Sequence, residues 1–176
     1  MKHISVIVVL LSAAMLLSCG SGNEREKAQN VIKQMELSTF DYTQRMNAQK
    51  ADSLVNMYSS YVNRFPEDTL CASYLFRAAD ILANRNKCME SVAMYERLIR
   101  DYPSSRYVEE SYFLRGVVYS QVCLNKDKSR ECFNEFISKY PQSRLVDDAN
   151  GLMMMDTLSD EMEIIRKFEQ MNSLNK

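Results

Sequence analysis

The sequence predicts an all-α protein, an α-solenoid of stacked antiparallel helix pairs. Three observations carry that prediction. The chain holds only 4 Gly and 3 Pro among 176 residues, and is rich in Met, Leu, Ala, Glu, Lys and Arg, the composition of helices. Each of its three prolines follows an aromatic residue: Phe65-Pro66, Tyr102-Pro103 and Tyr140-Pro141, spaced 37 and 38 residues apart. The phrase DYPSSRYVEESYFLRG, beginning at Asp101, returns 38 residues later as KYPQSRLVDDANGLMM. A fixed period near forty residues is the mark of a repeat architecture.

The first segment is a targeting signal rather than part of the fold. Lys2 and His3 precede an apolar run, Ile4 to Leu17, broken only by Ser5 and Ser12. As a helix it would reach about 21 Å, short of the roughly 30 Å hydrocarbon core of a bilayer. The run ends Leu16-Leu17-Ser18-Cys19, which resembles the bacterial lipobox. That resemblance implies cleavage after residue 18 and acylation of Cys19. With two lipid signals already enough for stable anchoring, three acyl chains, palmitate among them, would hold the protein to the membrane. Gly20 in place of Asp points to the outer membrane, with the periplasmic face as the expected side. Residues 19–23 form a lipidated flexible tether, and 24–176 the helical repeat domain.

From Glu24 the pattern turns helical, with Ala28, Val31, Ile32 and Met35 on one face. Residues 37–47 are ambiguous. Leu54, Val55, Tyr58, Tyr61, Val62 and Phe65 then mark a helix over about 50–64. Proline disfavours helix at the residue before it and cannot continue the ladder, so each aromatic-Pro pair closes a helix. The next helix starts just behind it, with Ser104-Ser105 and Ser143 as expected N-caps. Glu109-Glu110 and Asp147-Asp148 suit the positive end of the following helix dipole. Ser73-Tyr74 aligns with Ser111-Tyr112, Arg77 with Arg115, Ala78 with Gly116, Ser91 with Ser129 and Tyr95 with Phe133, all at an offset of 38. Each unit therefore reads helix A, turn, helix B, aromatic-Pro turn. The expected helices are 69–84 and 88–101, then 105–123 and 127–139. A third helix A follows over 143–155. A separate last helix over 159–172, with Met162, Ile165, Phe168 and Met171 on one face, is expected to cover the open end of the array and Met153-Met154-Met155 with it.

Tyr112, Gly116, Tyr119, Ser129, Phe133 and Pro141 resemble, in order and near-spacing, the tetratricopeptide repeat, which implies a right-handed superhelix. Small Gly116 and Ser129 would let helices A and B approach closely, with Tyr112, Tyr119 and Phe133 beside them. The period is 38 rather than the usual 34, and Arg115 stands where the motif has leucine. Long repeats ending in Tyr-Pro-x-Ser behind a lipobox are similar to two families. These are the BamD-like lipoproteins of outer-membrane β-barrel assembly, and the cell-division coordinator of the Tol-Pal system.

The chemistry the sequence allows is narrow. Lys plus Arg is 22 and Asp plus Glu is 23, which argues against a nucleic-acid surface. With His3 in the signal segment, the mature chain has no histidine. That removes Ser-His and Cys-His nucleophile pairs and His-based metal sites. Four scattered glycines make no phosphate-binding loop. The carboxylate pairs lie side by side in sequence and do not face one another on a helix. No catalytic, metal or cofactor site is expected. The cysteines after Cys19 are Cys71, Cys88, Cys123 and Cys132, and the favoured reading is four free buried thiols. If one pair forms in an oxidising compartment, the antiparallel run of one helix B beside the next helix A brings Cys88 to Cys123.

The tetratricopeptide resemblance implies a groove lined by helix A. Its candidate residues are Leu75, Phe76, Phe113, Leu114, Val117 and Gln121, with Ala79, Leu152 and Met155 beside them. Such an apolar groove would take a partner helix or an extended peptide. The expected function is a membrane-anchored, non-enzymatic scaffold that docks another envelope protein, with no small-molecule substrate. A helper or subunit of β-barrel assembly is the alternative. A solute-capture lipoprotein is the third, disfavoured by the lack of tryptophan for stacking on sugars.

Overall fold

A computed structural model of the chain describes residues 22–39 and 47–174, with side chains described as far as Arg166 except Ser159. The expected signal segment, Cys19 and the start of the expected tether therefore lie outside the described residues, as do the side chains of Phe168 and Met171. The described residues form seven helices and no strand. These are α1 (22–39), α2 (Ala48–Arg64), α3 (Cys71–Asn84), α4 (Cys88–Asp101), α5 (Val108–Gln121), α6 (Lys126–Lys139) and α7 (Val146–Leu174). The fold class is all-α, of helical-repeat type. The chain divides into two compact units, Met1–Cys71 and Ala72–Lys176.

The first unit is a helix pair. Asn47 caps α2, its side chain accepting from the Lys50 amide at 3.1 Å. Ala51, Leu54, Val55, Tyr58, Tyr61 and Val62 form the buried face of α2, and Ile32 is buried on α1. Two long-range bonds tie the helices together. Gln29 Nε2 donates to Tyr61 Oη at 2.6 Å, and Tyr58 Oη donates to Glu36 Oε1 at 2.6 Å. The tyrosine rings supply the apolar contact and their hydroxyls are satisfied at the rim.

The second unit holds α3 to α7, with each helix packed on the next. The A–B pairs α3/α4 and α5/α6 share one device. A fully buried serine on helix B donates to a helix A carbonyl: Ser91 Oγ to Ala79 O at 2.8 Å, and Ser129 Oγ to Gly116 O at 3.1 Å. These bonds need close helix approach. At Gly116 the approach is so close that a Cβ would lie 2.7 Å from Phe133 ring carbons. Between α3, α4 and α5 sits a core of Ala79, Val92, Tyr95 and Val118.

The aromatic-Pro turns are one structure written three times. Phe65, Tyr102 and Tyr140 cap their helices at φ −133°, −130° and −129° with ψ 56°, 55° and 58°. Each aromatic carbonyl accepts from the amide three residues on, at Asp68, Ser105 and Ser143. Those residues' carbonyls accept in turn from Cys71, Val108 and Val146. The side chains of Asp68, Ser105 and Ser143 take the amide two residues ahead, at 2.8, 3.3 and 3.2 Å. Ser105 and Ser143 are thus turn residues that form side-chain turns, not the N-caps expected of them. The residue that caps α5 is Tyr107, and its side chain makes no cap bond.

Two other expectations fail. The third helix A and the last helix are one continuous helix, α7, of 29 residues. No proline falls within it, and Thr157 Oγ bonds back to Met153 O at 3.0 Å inside the helix, as Ser and Thr do mid-helix. Among the described residues no helix folds back over Met154 and Met155, which are 64% and 66% exposed. The cysteines are not all free. Cys71 and Cys132 are buried thiols outside any disulfide, whereas Cys88 and Cys123 are joined in a disulfide with Cα atoms 5.3 Å apart. The start of α4 lies beside Cys123, two residues past the end of α5, well inside the span a disulfide bridges.

Candidate protein-docking surface

Helix A side chains of the second unit fall into two classes. Leu75 has no accessible surface, nor has Ala79, and Phe113 retains 9%. Phe113 faces its own helix B, with ring centroids 5.7 Å from both Phe133 and Phe136. Leu75 and Phe113 therefore belong to the core and do not line a surface. Successive helical residues point about 100° apart, so the neighbouring position is the one that emerges. Phe76, Leu114 and Val117 are half-buried and Gln121 is exposed. Phe76 and Leu114 pack on the Ala79–Val92–Tyr95–Val118 core. Phe76 also stacks edge-on to Tyr95 at 5.8 Å and lies 5.1 Å from the Tyr107 ring. The surface is thus a shallow apolar run on α3 and α5, rigid beneath and partly open above.

Charged groups frame it. Asp80 lies on α3 and accepts a short hydrogen bond from Tyr95 Oη. Burial pushes its carboxyl above the usual carboxylate range, the Tyr95 bond works against that, and Glu110 adds to it. Burial likewise raises the Tyr95 phenol, reinforced by Asp80. Arg115, only 12% exposed, reaches from α5 to Glu135 of α6 and, at 3.9 Å, to Glu96 of α4. Its guanidinium stacks 5.4 Å from the Tyr112 ring. Arg115 departs from the leucine of the repeat motif. Reading it only as a departure missed its role as a clamp across three helices, although a charge at a core-flanking position was the available signal. Cys132 sits beside it. Burial raises that thiol despite the pull of Arg115, so it stays protonated and a poor nucleophile.

Other features of the described residues bear on chemistry. The first unit has a depression of about 300 Å³ whose lining includes Val31, Ile32, Met57, Tyr61, Lys27 and Arg64, which the sequence reading did not single out. No cluster of three or more His, Cys, Asp or Glu residues suited to a metal occurs among the described residues. No described helix is long and apolar enough to cross a membrane.

The comparisons with known proteins agree with the repeat reading. A family model described as "YfiO: Outer membrane lipoprotein" matches residues 43–168. That span takes in α2 to α6 and most of α7. No curated protein matches the chain.

Proposed function

We propose, from the premise that the chain belongs to the YfiO family of outer membrane lipoproteins, that it is a non-enzymatic docking scaffold of the cell envelope. It is held at the outer membrane by lipid on Cys19, on the periplasmic face, and receives another envelope protein on its helix A surface. What carries this reading is the set of half-buried apolar side chains Phe76, Leu114 and Val117 on α3 and α5, with Gln121 at the margin. Side chains that keep part of their surface while resting on a rigid core are preorganised, so a partner helix or extended segment costs little reorganisation to bind.

Affinity purification from detergent-solubilised membranes tests it, with wild type beside a Leu114→Glu/Val117→Glu variant of unchanged helicity. A partner recovered by the wild type and lost from the variant supports the reading. Equal recovery from both would remove the surface from it. The second reading is an accessory role in outer-membrane β-barrel assembly, favoured by the family relationship. Recovery of barrel-assembly subunits in the same experiment supports it. A thermal-shift panel of glycans and metabolites tests solute capture, and an upward shift would displace both scaffold readings.

A further inference from the structure

Helix α5 is used on two faces. Val118 belongs to the core shared with α3 and α4, while Gly116 and Phe113 meet the phenylalanines of α6. The 38-residue register carries both faces on to α7. The counterparts of Ser111 and Val118 are Ala149 and Asp156. Ala149 is fully buried. Asp156 accepts from Ser120 Oγ of α5 at 3.2 Å, and four residues on Asp160 pairs with Lys126 of α6. That side of α7 is occupied. The counterpart of Gly116 is Met154, and it is 64% exposed.

The open side is a continuous stripe. Gly151, Met154, Leu158, Met162 and Ile165 recur at intervals of three and four, which places them on one helix face. Their large side chains are 64%, 47%, 57% and 51% exposed, and a Cβ at Gly151 would meet nothing within 4 Å. Four apolar side chains this open, in line along one helix, are what an interaction surface looks like and not scattered surface apolarity. Among the described side chains of α7, Asp147, Asp148 and Glu161 are exposed acids near the stripe and Arg166 is the exposed base.

We propose that α7 is a helix A whose helix B is supplied in trans: an amphipathic α-helix with a basic flank, from a different protein, lies along Met154, Leu158, Met162 and Ile165. Two observations name that occupant. On α5 the same register position is filled by the next helix, so a helix is the shape this face is built to take. The acidic flank opposes a second copy of α7, whose carboxylates would meet like charge, and favours Lys or Arg. This surface is distinct from the one on α3 and α5.

The test uses the full chain in detergent and three synthetic 21-residue peptides. One is an amphipathic helix with a Leu stripe and Lys flank, the second has the same stripe with a Glu flank, and the third is a scramble of the first. The Lys-flanked helix is expected to bind with a Kd of roughly 10–100 μM by calorimetry, on the scale of a single-helix groove contact. The Glu-flanked and scrambled peptides should bind at least about tenfold more weakly, and the preference for Lys should shrink at high salt. Met154→Glu/Leu158→Glu should weaken the Lys-flanked helix about tenfold with unchanged circular dichroism, while Leu114→Glu/Val117→Glu leaves it unaltered. Equal binding of the scramble, no binding at all, or indifference to Met154→Glu/Leu158→Glu would overturn the proposal. So would a dimer in sedimentation that the same double variant dissolves, which would make the occupant a second copy.

Discussion

At the scale of single residues, backbone and packing demands single out three positions. Leu124 is 79% exposed at φ 53°, a left-handed conformation costing a non-glycine residue roughly 1–2 kcal/mol. The equivalent position one repeat earlier is Asn86, at φ 56°, and asparagine tolerates that region. Leu124→Asn should therefore stabilise by about 0.5–1 kcal/mol, read as a higher midpoint in urea with the same slope. Gly116→Ala should do the reverse. Its Cβ would press at 2.7 Å on the ring of Phe133, which is fully buried and has nowhere to move, so overpacking should cost about 1–3 kcal/mol. Asp80 gives a pH prediction. Its folded pKa is raised above 3.8 by burial, so between 3.8 and the raised value the folded state holds the extra proton. Stability from this group is then greatest at low pH, declines as pH rises through that window and stays reduced above it. Asp80→Asn should flatten that acid limb in urea titrations against pH. A slope unchanged by the substitution would show that other carboxylates set it.

At the scale of elements, the turns and helix ends decide what was legible. The three aromatic-Pro pairs placed the ends of α2, α4 and α6 to within a residue, because proline acts locally and by sterics. The tetratricopeptide resemblance placed Gly116 and Ser129 at a close helix crossing, and the 38-residue register aligns Ser91 with Ser129. What was missed depends on rotation or on context. Leu75 and Phe113 differ from Phe76 and Leu114 by one residue, and one step of 100° separates core from surface. Ser105 and Ser143 satisfy turn amides instead of helix ends, a choice set by the turn before them. The break expected between residues 155 and 159 rested on repeat length and on the apolar stripe of Met162, Ile165, Phe168 and Met171, with no glycine or proline at the break itself. The Cys88–Cys123 link is the element-scale feature with the largest energetic consequence. It closes a loop of 35 residues, for which the chain-entropy model gives about 4 kcal/mol. Reductant, or Cys88→Ser/Cys123→Ser, should lower the melting temperature. The buried thiols of Cys71 and Cys132 should stay slow to alkylate until the protein unfolds.

For the molecule as a whole, the second unit is a repeat array whose elements are stabilised by their neighbours in sequence, and this makes truncation informative. In such an array stability is approximately a sum over units and nearest-neighbour interfaces. Residues 161–166 of α7 are exposed, whereas Ala149 is fully buried and Asp156 and Asp160 bond to α5 and α6. Ending the chain after Asp160 keeps the contacts of Ala149, Asp156 and Asp160 in place. It should cost less than about 1 kcal/mol, a shift of no more than roughly 2–4 °C in a chain of this size. Ending it after Tyr140 removes α7 altogether. That strips cover from the α6 side, deletes the Lys126–Asp160 pair and Ser120–Asp156 bond, and should lower the melting temperature by several times as much. Equal shifts from the two cuts would mean that the distal half of α7 is held by contacts that neighbour-only stacking does not provide. A small shift from the first cut, with loss of binding by the Lys-flanked helix, would separate what α7 contributes to stability from what it presents to a partner. The same apolar stripe can be dispensable for folding and required for docking only because its large side chains stay open to solvent in the folded unit.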